Sequence, residues 1–226
     1  MRKTVQIEKK IFLEYPSLNL GLEQLEQIAL FLDSLAEWNK KFNLTAIKGY
    51  DDLITKHLLD SLAIYKLLPQ AEFETLMNKK IIDFGSGAGL TGIILCLLNP
   101  KMRLTSIDKT KKKIDFQKQI KAKLNLTNFN PLHQNLKQLV QDRSQKENYN
   151  FILARAFDQI KGILELSQEL LTPKGYLVLW KGQRWQEEFD KVPLGLKNNY
   201  QVIKKHPYQF GEGKYGGTIL LIQKNS

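Results

Sequence analysis

The sequence predicts an α/β chain whose sheet is mostly parallel and ends in an antiparallel hairpin, preceded by an N-terminal helical extension. Three observations carry this. From Lys79 onward short apolar runs alternate with amphipathic segments, the pattern of parallel strands joined by crossover helices. The last two apolar runs are joined by a Gly-rich stretch with no helix, so they pair as a hairpin. Ahead of Lys79 the two apolar patterns are both helical. Residues 1–78 are thus expected as a helical extension packed on a core of residues 79–226, one compact domain overall, which suits a chain of 226 residues.

The elements follow in order. Over 22–41, Leu22, Leu25, Ile28, Ala29, Leu32, Leu35 and Trp38 recur at three- and four-residue steps and make one helical stripe. Asp51 and Asp52 open a second helix with Leu53, Leu58, Leu62 and Tyr65 inward, and Pro69 follows its end. The connector WNKKFNLTAIKGY lies between them. Then come strand IIDF, a helix over 90–98, strand MRLTSID, a helix over 110–123 and strand TNFNPLH. After a polar loop follow YNFILARA, a helix over 159–171 and strand GYLVLW, before the hairpin of YQVIKKHPY and GGTILLIQK.

Composition narrows the function classes. With 42% hydrophobic and 25% charged residues the chain can bury a core. Its one cysteine, Cys96 in GIILCLL, excludes a disulfide framework and reads as a buried hydrophobe in a reducing compartment. The N-terminus lacks the apolar core of a signal peptide, and the longest apolar run is far short of the ~20 residues of a membrane span. A soluble cytoplasmic protein is expected. The 34 Lys and Arg against 23 Asp and Glu give a net charge of +11, which attracts polyanions such as nucleic acid. The excess concentrates in 101–123, with nine basic residues and two acidic ones.

The segment IIDFGSGAGLTG carries most information. Glycines at 85, 87, 89 and 92 between a buried strand and a helix give a backbone that can take positive φ and approach a ligand closely. Such a loop sits at the carboxyl edge of an open α/β sheet, where cofactors bind. Gly87, Gly89 and Gly92 satisfy G-x-G-x-x-G, the dinucleotide fingerprint, so a nicotinamide-dependent oxidoreductase is one reading. Asp83, Gly85, Gly87 and Gly89 instead spell D-x-G-x-G-x-G, which resembles the first motif of S-adenosylmethionine methyltransferases. A carboxylate at the strand end suits a cationic cofactor and repels a pyrophosphate. Asp108, ending the second strand nineteen residues after Gly89, is placed to accept ribose hydroxyls from either cofactor.

Taken together, WNKKFNLTAI, KHLLDSL, IIDFGSGAGLTGI, IDKTKKKIDF, ARAF and LWKG resemble, in this order, the bacterial small-subunit (16S) rRNA N7-guanine methyltransferases, also called glucose-inhibited division protein B. The resemblance runs from about residue 32 to 183. It implies a Rossmann-like methyltransferase sheet, S-adenosylmethionine as cofactor, 16S rRNA in the small ribosomal subunit as partner, and methyl transfer to N7 of a guanine in the decoding-region loop. By position it implies that Gly85 and Leu90 line the methionine and ribose side of the cofactor, Leu136 and Lys137 the adenine side, and that Arg155 contacts the cofactor. Asn135-Leu136-Lys137 departs from the family's usual Ala-Glu or Val-Glu, which preserves a backbone contact and loses a side-chain one.

Guanine N7 has an in-plane lone pair and no proton to lose, so the reaction needs no general acid or base, and none is assigned. Arg155 and Lys181, at strand ends, are expected to orient the guanine or its phosphate. His57, with Asp60 close by, reads as a hydrogen-bonded structural or lid residue. His133 and His206 are isolated, and no spacing supports a metal site. Asn39, Asn43 and Thr45 either contact cofactor or RNA or cap the turn between helices. Trp38 and Phe42 at i, i+4 read as helix packing. Lys109, Lys111, Lys112, Lys113, Lys118, Lys121 and Lys123 surround a helix whose Ile114, Phe116, Ile120 and Leu124 face inward, a candidate phosphate-contact surface. A non-catalytic RNA-binding protein with a residual cofactor pocket is the remaining alternative.

Overall fold

The computed structural model describes residues 2–68 and 79–226. Pro69 and the division placed at residues 78 and 79 fall within or against the intervening segment, outside the described residues. Seven strands form one sheet: β1 (Lys80–Phe84), β2 (Arg103–Asp108), β3 (Phe129–His133), β4 (Tyr149–Arg155), β5 (Leu171–Lys181), β6 (Tyr200–Phe210) and β7 (Tyr215–Lys224). Their order is β3-β2-β1-β4-β5-β7-β6; β1 to β5 run parallel, and β7 enters antiparallel between β5 and β6. The β6–β7 loop is tight, residues 211–214, with Gly211 and Gly213 at positive φ. Both edges are blunted: β3 carries Pro131, and exposed β6 carries Lys205 and Pro207.

Central β1 is buried at four of its five positions, as its unbroken apolar sequence requires for a strand covered on both faces. Period-two alternation divides its side chains. Ile81 joins one hydrophobic core and Ile82 and Phe84 the other. The first core is closed by α5 (Leu90–Leu98) and α6 (Lys111–Lys123), and extends without interruption into the N-terminal helices α1 (Arg2–Glu14), α2 (Leu22–Phe42), α3 (Tyr50–Leu53) and α4 (Ile64–Leu67). The second is closed by α7 (Leu136–Leu139), α8 (Ile160–Leu170) and α9 (Trp185–Asp190); a last short helix, α10 (Leu194–Lys197), precedes β6. Trp38 packs on Phe42 and on Phe116, at ring centroid distances of 4.9 and 5.5 Å, locking α2 onto α6. Cys96 is buried in α5. Among the described residues no helix is long and apolar enough to cross a membrane.

Two N-terminal features depart from the sequence reading. Helix α1 is additional: it buries only Ile7 and Ile11, one turn apart, too little periodicity to announce a helix. It is held on the second pattern by Lys10, 2.8 Å from Asp51, and just beyond its end Tyr15 donates to the Leu59 carbonyl at 2.7 Å. The second pattern is not one regular helix either. After α3 it widens into a π-helical segment, Ile54–Leu59, which carries His57. Such segments are rare and concentrate at functional sites.

Candidate active site

Parallel register aligns Phe84 with Ile107 and with Ala154, so the glycine loop, Asp108 and Arg155 meet at one edge of the sheet. Gly85, Gly87 and Gly89 have φ of 58, 61 and 74°, the left-handed region that glycine enters without cost. Each has a different neighbourhood. A Cβ on Gly85 would lie 2.1 Å from the Phe157 ring, whereas one on Gly87 would meet nothing within 4 Å. Gly92 serves packing instead: its Cβ would press on Leu104 at 2.9 Å and Phe129 at 3.1 Å, where α5 lies close on the sheet.

Asp108 organises the loop. One carboxylate oxygen accepts the Gly87 N–H at 2.9 Å and the other the Thr110 N–H at 2.8 Å, leaving each oxygen a further lone pair. Gln117, fully buried, completes the cradle. Its amide donates to the Gly87 carbonyl at 2.7 Å and to Ser86 Oγ at 3.0 Å, and its Oε1 accepts from Ser106 at 2.7 Å. Sequence reading passed over Gln117. Its one signal is a polar residue set between Ile114 and Ile120 on the inward stripe of α6, where a buried amide must find partners.

Two adjoining cavities flank this loop. One of about 500 Å³ is lined by Asp108, Asn135, Leu136, Lys137 and Phe157. The other, about 300 Å³, is lined by Thr45, His57, Asp83, Gly87, Leu90 and Arg155. Gly85, Lys113 and Ala156 border both. Asn135 accepts the Lys137 N–H at 2.9 Å and so caps α7. Ala156 has φ 51°, a conformation costing about 1–3 kcal/mol for a residue with a side chain, and it forms the ridge between the cavities.

Charge in the smaller cavity is unevenly satisfied. Asp83 is buried, its Oδ2 has no hydrogen-bond partner, and burial, opposed by Arg155, pushes its pKa up to about 7. Arg155 is engaged through Nη1, which donates to Asp60 at 2.9 Å and lies 3.1 Å from Ser61 Oγ and 3.2 Å from the His57 carbonyl. Asp60 in turn accepts from Tyr208, and its carbonyl accepts the Trp180 indole N–H at 2.8 Å. One residue thereby ties the N-terminal helices to β4, β5 and β6. His57 pairs with Thr45 Oγ1 at 2.8 Å, and burial followed by Arg155 pushes its pKa down to about 3, so the ring is neutral. Asn39 caps the connector, accepting the Thr45 N–H at 2.9 Å and donating to the Ile47 carbonyl, while Asn43 ends α2 in the left-handed conformation.

Lys181, expected over the pocket, reaches neither cavity lining. Its ammonium lies 2.6 Å from Glu188 and 2.8 Å from the Asp158 carbonyl. Part of the lysine-rich helix is likewise employed internally. Lys111 pairs with Asp115, Lys112 donates to the Phe42 carbonyl and Lys123 to Ser34. No group of His, Cys, Asp and Glu able to hold a metal occurs among the described residues.

The Asp60 junction predicts a measurable cost. Truncating one partner of a buried ion pair costs about 3–5 kcal/mol, but Asp60 and Arg155 side chains are 24% and 12% exposed, so Asp60→Ala is expected to lose about 2 kcal/mol in urea unfolding. A loss under about 0.5 kcal/mol would show that the junction behaves as an ordinary surface pair.

Comparison with known proteins identifies the family. Residues 24–211 match the GidB family, rRNA small subunit methyltransferase G. The ribosomal RNA small subunit methyltransferase G of Methylobacillus flagellatus is 34% identical over 177 residues, 78% of this chain and 80% of its own. That of Francisella philomiragia is 36% identical over 178 residues, covering 78% and 80%. Among solved structures, a mutant of MtNAS superposes with a TM-score of 0.59 at 11% identity, over 91% of this chain and 75% of that one. An Agrobacterium tumefaciens chain described as a predicted O-methyltransferase gives 0.57 at 14% identity, over 76% and 81%. These two likenesses are of fold, the Rossmann-like methyltransferase sheet. Family membership decides against the nicotinamide reading of the glycine loop. The chain belongs to the GidB family of small-subunit rRNA methyltransferases G, enzymes that methylate rRNA with S-adenosylmethionine as the methyl donor.

Proposed function

We propose that this enzyme methylates N7 of a guanine in the decoding-region loop of 16S rRNA, within the small ribosomal subunit in the cytoplasm, by direct in-line attack without a general base. The observation that carries the mechanism is the state of the smaller cavity's titratable side chains. His57 is neutral and committed to Thr45, Asp60 to Arg155 and Tyr208, and Lys56 to Asp52, which leaves the cation Lys113 and the carboxyl of Asp83, and Asp83 goes to the cofactor's positive charge. A nucleophile that must lose a proton would need a base that the cofactor does not occupy; guanine N7 needs none.

The residues present fit the cofactor. Gly87 leaves open space, Asp83 offers an unpartnered buried oxygen to a cationic group, and Asp108 keeps lone pairs toward ribose hydroxyls. Leu136 and Lys137 would border the adenine and Leu90 the methionine side. When bound, S-adenosylmethionine supplies a methyl group on a positively charged sulfur. The chain's contribution is to hold nucleophile and methyl in line and to exclude water, which supplies up to ~7–11 kcal/mol in well-oriented systems. Arg155 acts by fixing the Thr45–His57 wall against the glycine loop. Lys181 acts at one remove, holding the turn at Asp158 that closes the larger cavity.

The test is tritiated methyl transfer from S-adenosylmethionine to small subunits lacking 7-methylguanosine, followed by nuclease digestion. Label recovered as 7-methylguanosine is the expected result. Label on another base or position would overturn the N7 assignment and leave an rRNA methyltransferase of different specificity.

A further inference from the structure

The smaller cavity holds one unsatisfied charge of each sign among the described residues. Its carboxylates are Asp60, which is spent on Arg155 and Tyr208, and Asp83, whose Oδ2 is unpartnered. Its cationic side chains are Arg155, whose charge is paired with Asp60 through Nη1; Lys56, paired with Asp52 and seated over the Tyr215 ring; and Lys113. Lys113 makes no ion pair or side-chain hydrogen bond with any described residue. Its place in the fold is fixed. It lies one turn before Gln117 on the same face of α6, and Gln117 donates to the Gly87 carbonyl, so Lys113 stands over the glycine loop. It borders both cavities, at their junction.

A pocket with one free carboxylate and one free ammonium matches a zwitterion. Resting on the cofactor reading above, we propose that Lys113 binds the α-carboxylate of the cofactor's amino-acid end, while Asp83 faces its positively charged groups. Lys113 is therefore a cofactor residue and not part of a phosphate-contact surface on α6. Because the contact is to a charged partner, its loss is felt in affinity for ligands that carry the carboxylate and in no others.

Calorimetry with two probes tests this. S-adenosylhomocysteine carries the amino-acid end; 5′-deoxy-5′-methylthioadenosine shares the nucleoside and lacks it. Lys113→Met is expected to weaken S-adenosylhomocysteine about tenfold or more and to leave methylthioadenosine unchanged, with Lys113→Arg restoring most of the loss. Equal weakening of both probes would place Lys113 on the nucleoside and overturn the assignment. Unchanged binding of both, with a raised KM for rRNA, would return Lys113 to the RNA surface and overturn it too. Failure of the wild-type protein to bind either probe would reject the cofactor reading itself, and the assignment with it.

Discussion

Gly87→Asp is expected to remove cofactor binding while the protein stays folded. At φ 61° any side chain is strained by about 1–2 kcal/mol, less for aspartate, which tolerates the left-handed region. The new Cβ meets no atom within 4 Å, so no core contact is lost. The carboxylate it carries enters a cavity that already holds Asp83, beside a loop whose N–H is bound to Asp108. It fills the ligand's space and displaces the loop from the carboxylate that shapes it. Affinity for S-adenosylhomocysteine is expected to fall by at least about 100-fold, the equivalent of roughly 3 kcal/mol, with a fall in Tm of only a few degrees. Both are read by calorimetry on the same sample. Affinity within tenfold of wild type would mean that the ligand does not pass over Gly87, and the cavity assignment would fail.

The glycine loop was legible because its requirements are local. A buried strand, three backbone positions that need positive φ and an immediate helix are written in consecutive residues, and Asp83 and Asp108 stand near the ends of β1 and β2 in plain sequence. The lysine helix shows the limit of such reading. Its inward stripe follows from periodicity, yet nothing local distinguishes Lys113, which borders the glycine-loop cavities, from Lys112, bound to a carbonyl at the end of α2. The Asp60 junction was illegible for the same reason. Its partners Arg155 and Tyr208 are 95 and 148 residues away, on β4 and on edge strand β6, and meet it only in the tertiary fold. Lys181 sits at a strand end as expected, and a tertiary neighbour, Glu188, captures its ammonium. Local chemistry placed the glycine loop at the carboxyl edge of the sheet; long-range pairing decided which cations face it.

Asp83→Asn is expected to abolish a pH dependence that the wild-type protein shows both in stability and in cofactor affinity. In the unliganded protein burial raises the Asp83 pKa from 3.8 to about 7, with Asp108 adding to the rise and Arg155 and the Gly92 N–H opposing it. Between these values the folded protein holds a proton that the unfolded chain has released. Stability from this group is therefore greatest below 3.8 and declines as pH rises to about 7, by about 4 kcal/mol in all, after which it is level. Asparagine cannot ionise. Its unpartnered amide adds a constant cost, so the difference in urea-unfolding free energy between the two proteins must change with pH across this window. The cofactor's positive charges favour the ionised carboxylate, so binding below pH 7 expels the proton. Wild-type affinity is expected to rise toward tenfold per pH unit up to about 7 and then flatten, while Asp83→Asn binds more weakly above pH 7 without that slope. Parallel pH profiles for the two proteins would show that Asp83 is ionised throughout, already neutralised by Arg155, and that the unpartnered oxygen is not what the cofactor meets.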